Sequence, residues 1–252
     1  MNQQPVVLIT GANQGIGLQV AKDLAKRDFT VLIGSRDLVR GAEAASSVDG
    51  DARAIHLDVT DRALVVAAAA RIHSEMGRLD VLIQNAGISN TGKMAGQTFQ
   101  EYAQATSASI LDIDEMRAVW EVNVFGVLTV YQAMVPLLRT TPGSRIVNVS
   151  SGAGSLTANS DPASALRASF GPIYPGSKAA LNALTLAMAI ELEKDGIPVN
   201  AVSPGFTKTN LNHFQGTDTV EDGAREIVRV ALLGRNGPTG KFTRWEAAPI
   251  PW

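Results

Sequence analysis

The sequence predicts an α/β protein, a single Rossmann-type doubly wound domain with a mainly parallel seven-stranded sheet and helices on both faces. Three observations support this class. Short apolar runs alternate with longer helical patterns along most of the chain. The runs are continuously apolar, which is typical of strands buried on both faces. A glycine-rich turn joins the first run to the first helical pattern, as in doubly wound folds.

Six apolar runs are the predicted strands, and Phe242 is expected to begin a seventh. The runs cover residues 6–9, 31–33, 54–57, 81–83, 146–149 and 199–202. Helical patterns lie between them at residues 17–27, 61–76, 114–138, 175–194 and 220–233. Residues 152–171 are rich in Ser, Ala and Gly and predict a loop with one short helix. Since no linker divides the chain, one domain is expected over residues 1–252.

Composition narrows the classes of function. The 252 residues carry a net charge of −2 and contain no cysteine, which excludes disulfides, zinc–thiolate sites and thiol nucleophiles. Scattered Lys and Arg predict no nucleic-acid face, and the three histidines do not pair at helical spacing, so no metal is expected. The chain begins without a signal-peptide pattern and has no apolar run of the roughly 18 residues that a membrane helix needs. A cytoplasmic protein without membrane attachment is therefore predicted.

The turn after the first strand predicts a phosphate site. Its sequence is Thr-Gly-Ala-Asn-Gln-Gly-Ile-Gly, residues 10–17. Gly11 permits the tight turn, Gly15 lets backbone N–H groups approach a pyrophosphate, and Gly17 allows the helix to pack closely on the strand. The helix N-terminus adds partial positive charge. We expect a dinucleotide to contact this turn through Gly11, Asn13, Gln14, Gly15, Ile16 and Gly17.

Further motifs follow the glycine turn in order along the chain. They are Asn85-Ala86-Gly87, Asn123, Ser151 with Tyr174-x-x-x-Lys178, and Pro204-Gly205. Together they resemble the short-chain dehydrogenase/reductase family, with most similarity to its NADPH-dependent carbonyl reductase-like subgroup. The resemblance implies reversible hydride transfer between NADP(H) and a small carbonyl or alcohol substrate. It also implies a cofactor half of about residues 1–145 and a catalytic and substrate half of about residues 146–252.

Tyr174 and Lys178 are the predicted proton-transfer pair. They lie four positions apart at the start of a helical pattern, which places both on one face. Reduction of a carbonyl needs a proton for the alkoxide that forms. An ammonium about 4 Å away, at an effective dielectric constant of about 20, contributes about 4 kcal/mol. That energy corresponds to about three pKa units, so we expect the lysine to lower the tyrosine pKa to about 7.

The family resemblance assigns two more catalytic residues. Ser151, the second serine of the Ser-Ser pair, would hydrogen bond the substrate oxygen and stabilise its developing charge. Asn123 would distort its helix and hold a water near the lysine, although a helix-interior amide satisfied by backbone is the plainer interpretation. Tyr174 and Lys178 would also contact the cofactor.

The residues after the second strand predict which dinucleotide binds. Ser35, Arg36 and Arg40 would meet the adenine ribose, where a forked guanidinium suits a 2′-phosphate. Arg36 and Arg40 converge if a helix begins near Asp37. Asp37 is the contrary evidence, because an acid here can accept from a 2′-hydroxyl. Its alternative role is a helix N-terminal acid, and NADP(H) is favoured over NAD(H).

The remaining cofactor contacts are implied by the resemblance alone. Asp58 and Val59 would lie beside the adenine, and Asn85, Ala86 and Gly87 beside the adenosine ribose. The segment with Pro204, Gly205, Thr207 and Thr209 would lie beside the nicotinamide. Apart from the resemblance, Phe206, Phe214 and Trp245 are candidates for an apolar substrate pocket because they are close to this segment in sequence.

The chain departs from the family pattern in two longer segments and one shorter one, from Asn210 to about Val220, where many relatives carry a long substrate lid. Ser151 and Tyr174 lie 23 positions apart, further than in most relatives, so an insertion is expected within residues 152–173. A second excess lies between Gly87 and Asn123. In several members of the subgroup an insertion before the tyrosine covers the surface used for oligomerisation, so a monomer or dimer is predicted in preference to a tetramer.

Three alternatives remain open at the sequence level. One is a non-catalytic NADP(H)-sensing regulator, and another is an NAD-linked alcohol dehydrogenase working in the oxidative direction. Sugar epimerisation or dehydration on the same scaffold is the third, though those relatives differ in chain length and glycine spacing.

Overall fold

The computed structural model describes residues 4–92 and 96–252. Within them eight strands form one sheet in the order β3-β2-β1-β4-β5-β6-β7-β8. The strands are β1 Val6–Thr10, β2 Thr30–Ser35, β3 Ala52–His56, β4 Val81–Gln84, β5 Arg145–Val149, β6 Val199–Val202, β7 Phe242–Arg244 and β8 Ala248–Pro249. The first seven are parallel, as the largely apolar runs of β1, β2 and β4 in particular predict.

The doubly wound fold class is confirmed, with one strand more than the seven expected. β7 begins at Phe242, as predicted. The chain then turns back, and β8 pairs antiparallel with β7 through Thr243–Pro249 and Arg244–Ala248. Sequence patterning missed β8 because two residues ending in proline carry no periodic signal.

Helices cover both faces of the sheet. They are α1 Gly15–Ala25, α2 Leu38–Ser46, α3 Arg62–Met76, α4 Phe99–Ala105, α5 Ile113–Trp120, α6 Gly126–Thr140, α7 Leu156–Ser160, α8 Tyr174–Leu192 and α9 Val220–Ala231. Successive side chains of a strand point to opposite faces. Leu8 accordingly packs with α3, α6 and α8, whereas Val7 and Ile9 pack with α1 and α9.

The helix expected over residues 114–138 is interrupted. A π-helical turn, Glu121–Phe125, separates α5 from α6. The span from Ile113 to Thr140 is long and apolar enough to cross a membrane by length and composition alone. More than half of its most apolar part is buried in the protein, and Val130 and Met134 of α6 lie in the core against the sheet.

Both inserted segments contain helices among their described residues. The segment between Gly87 and Asn123 contains α4 and α5, and the segment between Ser151 and Tyr174 contains α7 between two 3-10 turns, Gly152–Gly154 and Arg167–Ser169. The segment with α7 packs on residues 251–252, since Thr157 N donates to Trp252 O at 2.9 Å and Ser155 Oγ to Pro251 O at 2.5 Å. The predicted short helix within residues 152–171 is confirmed as α7.

Candidate active site

A cavity of about 610 Å³ opens at the carboxyl edge of the sheet. Parallel sheets bind ligands at this edge, where the strand order reverses direction. One continuous space is lined by residues from the glycine turn, the segment after β4, β5, α8 and the segment after β6, together with residues of both inserted segments. The predicted residues among them are Ile16, Asn85, Gly87, Ser151, Tyr174, Lys178, Pro204, Gly205, Thr207 and Thr209.

The glycine turn has the geometry expected of a phosphate cradle. Gly11 and Gly15 have φ of +63° and +57°, a backbone conformation that residues with a Cβ rarely adopt. A Cβ on Gly17 would lie 2.5 Å from Asn85 Nδ2. No side chain caps the N-terminus of α1, where Gln14 stands at the N-cap position. The first N–H groups of α1 are therefore available to an anion.

The end of β4 ties this turn in place. Asn85 Nδ2 donates to Thr10 O and Gly11 O at 3.0 and 3.1 Å. Thr10 Oγ1 in turn accepts from the backbone N–H groups of Asn85 and Ala86, each at 3.0 Å. Asn85 is thus a support of the turn as well as part of the cavity wall. The sequence interpretation missed Thr10, although its place before Gly11 in the motif was visible.

The carboxyl end of β2 lies one strand from the glycine turn, with Thr10 opposite Gly34. The predicted helix begins here as α2, and Asp37 caps it by accepting from Arg40 N at 3.0 Å. This geometry matches the role of Asp37 as a helix N-terminal acid. Arg36 and Arg40 are exposed beside it, and Arg40 Nε lies 3.9 Å from Asp37 Oδ2.

Ser35 is the exception at this end of the site. It is buried, and its hydroxyl donates to Asp37 O at 2.7 Å. The Ser35 hydroxyl is therefore directed into the protein in this structure, and its contact with the cofactor stays a prediction. The hydroxyl stabilises the start of α2 instead, leaving the two arginines as the groups that face solvent.

The two residues assigned to the adenine lie at the end of β3. Asp58 Oδ1 accepts from Thr60 N and Thr60 Oγ1 at 2.9 and 2.7 Å, which closes a local turn. Val59 is buried beside Gly126, on which a Cβ would lie 2.8 Å from Val59 Cγ2. Both positions have a structural role, and their contact with adenine stays a prediction.

The adjacent serines after β5 divide into a structural and an accessible hydroxyl. Ser150 is buried and donates to Asn182 Oδ1 at 2.6 Å. Ser151 Oγ accepts from Ala153 N at 3.2 Å and hydrogen bonds the Tyr174 side chain. Because only the Ser151 hydroxyl of the pair joins Tyr174, the geometry agrees with the choice of Ser151.

Tyr174 begins α8, and Lys178 follows on the same face. Lys178 Nζ lies 5.8 Å from the Tyr174 ring centroid and donates to Val149 O at 2.9 Å. Gly87 lies beside the ammonium, since a Cβ there would lie 3.5 Å from Lys178 Nζ. The predicted pair and Ser151 thus meet in one buried corner of the cavity.

Burial dominates the electrostatics of this corner. It raises the pKa of Tyr174 to about 12, with the Ser151 hydrogen bond acting in the opposite direction. It lowers the pKa of Lys178 to about 8. The expectation that the lysine lowers the tyrosine pKa to about 7 is therefore wrong for the chain by itself. The burial that strengthens their attraction also removes water from the phenolate, and desolvation disfavours the charged form.

Asn123 lies at the centre of the π-helical turn, which agrees with the predicted helix distortion. Its Oδ1 accepts from Ile88 N at 2.9 Å, and its Nδ2 donates to Ile88 O and Ser177 Oγ at 2.8 and 3.0 Å. The amide thereby joins the segment after β4 to α8. Its polar atoms are satisfied within the protein, and the proposed water relay to Lys178 stays a prediction.

The segment after β6 crosses the cavity towards the glycine turn. A Cβ on Gly15 would lie 3.6 Å from Thr209 Cγ2. Asn212 holds the segment by donating to Thr207 O at 2.7 Å and accepting from Thr209 N at 3.1 Å. Asn212 was not predicted from the sequence, because its role depends on a 3-10 turn, Asn210–Asn212, that no periodicity indicated.

The two inserted segments form the opposite wall. Tyr102 of α4 packs with Val119 and Ile173 in a small apolar cluster and lines the cavity. Its hydroxyl donates to Glu115 Oε1 at 3.0 Å, and the buried Glu115 also accepts from Thr91 N at 2.8 Å and from the Thr91 hydroxyl. No motif indicated this pairing.

The apolar residues expected at the pocket are only partly confirmed. Phe206 lines the cavity, whereas Phe214 and Trp245 are exposed and are absent from its described lining. Phe214 follows a turn at φ +60°, and Trp245 lies beyond β7, where it is covered by Arg225 at 6.0 Å. Proximity in sequence did not place these two rings at the site.

Comparison with known proteins gives consistent matches over nearly the whole chain. The short chain dehydrogenase family model matches residues 5–219. Short-chain dehydrogenase anuI of Penicillium roqueforti is 36% identical over 240 residues, covering 92% of this chain and 90% of that protein.

Solved structures agree with this match. Salutaridine reductase from Papaver somniferum superposes with a TM-score of 0.78 at 29% identity, over 95% of this chain and 99% of that one. ElxO with NADP bound gives 0.77 at 27% identity, over 96% and 97%. A 3-ketoacyl-(acyl-carrier-protein) reductase from Brucella melitensis, complexed with NADH, gives 0.77 at 26% identity, over 96% of each chain.

Proposed function

The chain belongs to the short-chain dehydrogenase/reductase family and is an oxidoreductase of the CH-OH/C=O type, and from that premise we propose that it reduces a ketone or aldehyde with NADPH. The observation that carries the proposal is the buried corner in which Tyr174, Lys178 and Ser151 meet. This corner lies on the same cavity as the glycine turn.

Proton supply is the part of the reaction for which this corner is suited. With its pKa raised to about 12, the Tyr174 hydroxyl is protonated at neutral pH. Reduction consumes that proton, because the carbonyl oxygen becomes an alkoxide as hydride arrives at its carbon. Ser151 holds the same oxygen and stabilises its charge, and the Lys178 ammonium favours the tyrosinate left behind.

The glycine turn and the two arginines after β2 would bind the phosphate groups of the dinucleotide. The uncapped α1 N-terminus and the positive-φ glycines leave a cradle for a pyrophosphate, and Thr209 lies across it. When bound, NADPH would supply the hydride. Arg36 and Arg40 lie one strand away and would bind a 2′-phosphate through their forked N–H donors. The Asp37 carboxylate accepts a hydrogen bond at the start of α2 instead.

A substrate panel with parallel cofactors tests the proposed activity. Purified protein is assayed at 340 nm with ketones and aldehydes, with NADPH and NADH in separate arms, and nucleotide binding is measured by fluorescence. We expect turnover with NADPH. Binding without turnover on every carbonyl would identify a nucleotide sensor instead, and faster turnover of alcohols with NAD⁺ would identify an oxidative dehydrogenase.

Arg36→Ala tests the cofactor choice. Loss of charge-assisted hydrogen bonds worth about 1.5–3 kcal/mol is expected to raise the KM for NADPH by about 10- to 100-fold. The KM for NADH should stay within about twofold, because NADH lacks the phosphate that the arginine would contact. An unchanged KM for NADPH would refute this role for Arg36.

A further inference from the structure

Arg244 is a charged residue of the cavity that the proposed reaction does not use. Among the described residues that line the cavity, the cations are Lys178 and Arg244, and none is Asp or Glu. Lys178 is committed to the proton-transfer corner. Arg244 is exposed to the cavity mouth, and no described carboxylate forms an ion pair with it.

The position of Arg244 in the sheet places it nearer to Ser151, where the substrate would bind, than to the glycine turn. It closes β7, just after Thr243 O accepts from Ser203 N at 2.8 Å. At about 4.8 Å per strand, β7 lies about 10 Å from β5, which carries Ser151, and about 19 Å from β1, which leads into the glycine turn. Arg244 is therefore too distant to serve the pyrophosphate and close enough to meet a substrate held at Ser151.

Strand alternation directs Arg244 towards the face that carries α8. Thr243 faces α9, since its hydroxyl donates to Glu226 Oε1 at 2.6 Å. Successive side chains of a strand alternate, so Arg244 lies on the opposite face with Phe242, which stacks on Trp252. α8 covers that face and carries Tyr174.

The neighbouring charges are already satisfied. Glu226 is buried and receives a bidentate pair from Arg229 at 2.7 and 2.8 Å, besides Thr243 Oγ1. Arg225 pairs with Asp222 at 3.1 Å and lies over Trp245. Glu226 anchors β7 without drawing on Arg244, whose guanidinium is left for a ligand.

We propose that Arg244 binds a carboxylate of the substrate, so that the enzyme prefers an apolar carbonyl compound with an acid group remote from the reacting C=O. The inference rests on the proposed reductase function. Leu166, Phe206 and Ile250 line the same cavity and would hold the apolar part of the substrate. The planar guanidinium forms the two parallel hydrogen bonds that a carboxylate accepts.

Matched pairs of ketones test this assignment. The probes are 4-acetylbenzoate and 3-(4-acetylphenyl)propanoate, each compared with its methyl ester, and NADPH is saturating. We expect Arg244→Gln to raise the KM for the acids about tenfold or more, with little change for the esters. Arg225→Gln is the matched control, since that arginine lies outside the described lining and should leave the acid-to-ester ratio unchanged.

The esters separate this inference from the proposed function. The role of Arg244 would be overturned if the wild type reduced the esters as well as the acids, or if Arg244→Gln changed the KM for acids and esters equally. In either case the proposed reductase activity would still hold. If no carbonyl is reduced, the proposed function fails first. Arg244→Lys, which keeps the charge and loses the fork, is expected to restore part of the preference for the acids.

Discussion

Two tyrosines line the same cavity, and their partners give them different chemistry. Tyr174 lies on the family framework, where its hydroxyl joins Ser151 and a lysine follows one turn later. Tyr102 lies on an inserted segment and donates to the buried carboxylate of Glu115. Burial raises the pKa of both, and in Tyr102 the carboxylate raises it further. Burial at the site therefore does not make a tyrosine a proton donor. The charge beside it does, because a cation favours the tyrosinate and an anion opposes it.

The largest difference between the two is expected in turnover. Tyr174→Phe removes the transferred proton and should lower kcat by about 10²- to 10⁴-fold. Tyr102→Phe removes a hydroxyl that is committed to Glu115 and should keep kcat within about tenfold of the wild type. NADPH oxidation at saturating carbonyl measures both, with thermal melts to show that the variants are folded. An equal loss of kcat in the two variants would contradict the different roles given to Tyr174 and Tyr102.

A pH profile compares the charges beside the tyrosines. The pKa of Lys178 is lowered by burial to about 8, so its ammonium is present below that pH and lost above it. Since the ammonium favours the tyrosinate, kcat for reduction should fall as pH rises through about 8, well before Tyr174 itself ionises near 12. Steady-state assays from pH 6 to 10 measure this.

Lys178→Met should have a lower kcat that no longer falls as pH rises through about 8, which is the alkaline limb of the profile. Tyr102→Phe should keep this limb. A limb that persists in Lys178→Met would assign it to another group. Stability should respond in the opposite sense, because the folded chain binds fewer protons than the unfolded one between pH 8 and 10.5. The contribution of Lys178 to the free energy of unfolding therefore rises across that window.

The smallest catalytic effect is expected at the partner of Tyr102. Glu115→Gln keeps the shape but weakens the acceptor for Thr91 and Tyr102, and should lower the free energy of unfolding by about 1–3 kcal/mol. Urea unfolding measures the change, and kcat should stay nearly constant. A large loss of kcat with unchanged stability would place Glu115 in the chemistry rather than in the wall. Glu121→Gln, at an exposed position after α5, is the matched control.

The two tyrosine sites also differ in how far the sequence predicted them. Tyr174 and Lys178 belong to one helix after a strand, so local spacing placed them on one face, and the order of motifs identified their setting. Glu115 and Tyr102 meet from separate helices in a segment without periodicity. Their contact depends on tertiary packing, which no local pattern encodes.

The same contrast holds elsewhere in the molecule. The strands from Val6 to Val202 followed from continuous apolar runs, and Asp37 as a helix cap followed from its position. The pKa of Tyr174 did not follow from the sequence, because desolvation of the phenol depends on how deeply the folded chain buries it. Arg244 was not predicted either, since its place in the cavity depends on the packing of β7, which the buried Glu226 of α9 holds through Thr243.

The π-helical turn at Glu121–Phe125 makes this part of the chain sensitive to length. A π-turn accommodates one residue more than an α-turn, and each residue advances an α-helix by about 100°. Deleting one residue here would let α5 and α6 join as a regular helix with their faces rotated relative to each other. Val119 could then no longer face the inserted wall while Val130 faces the sheet. Insertions and deletions should therefore be far less acceptable at this turn than amino-acid substitutions on its solvent side.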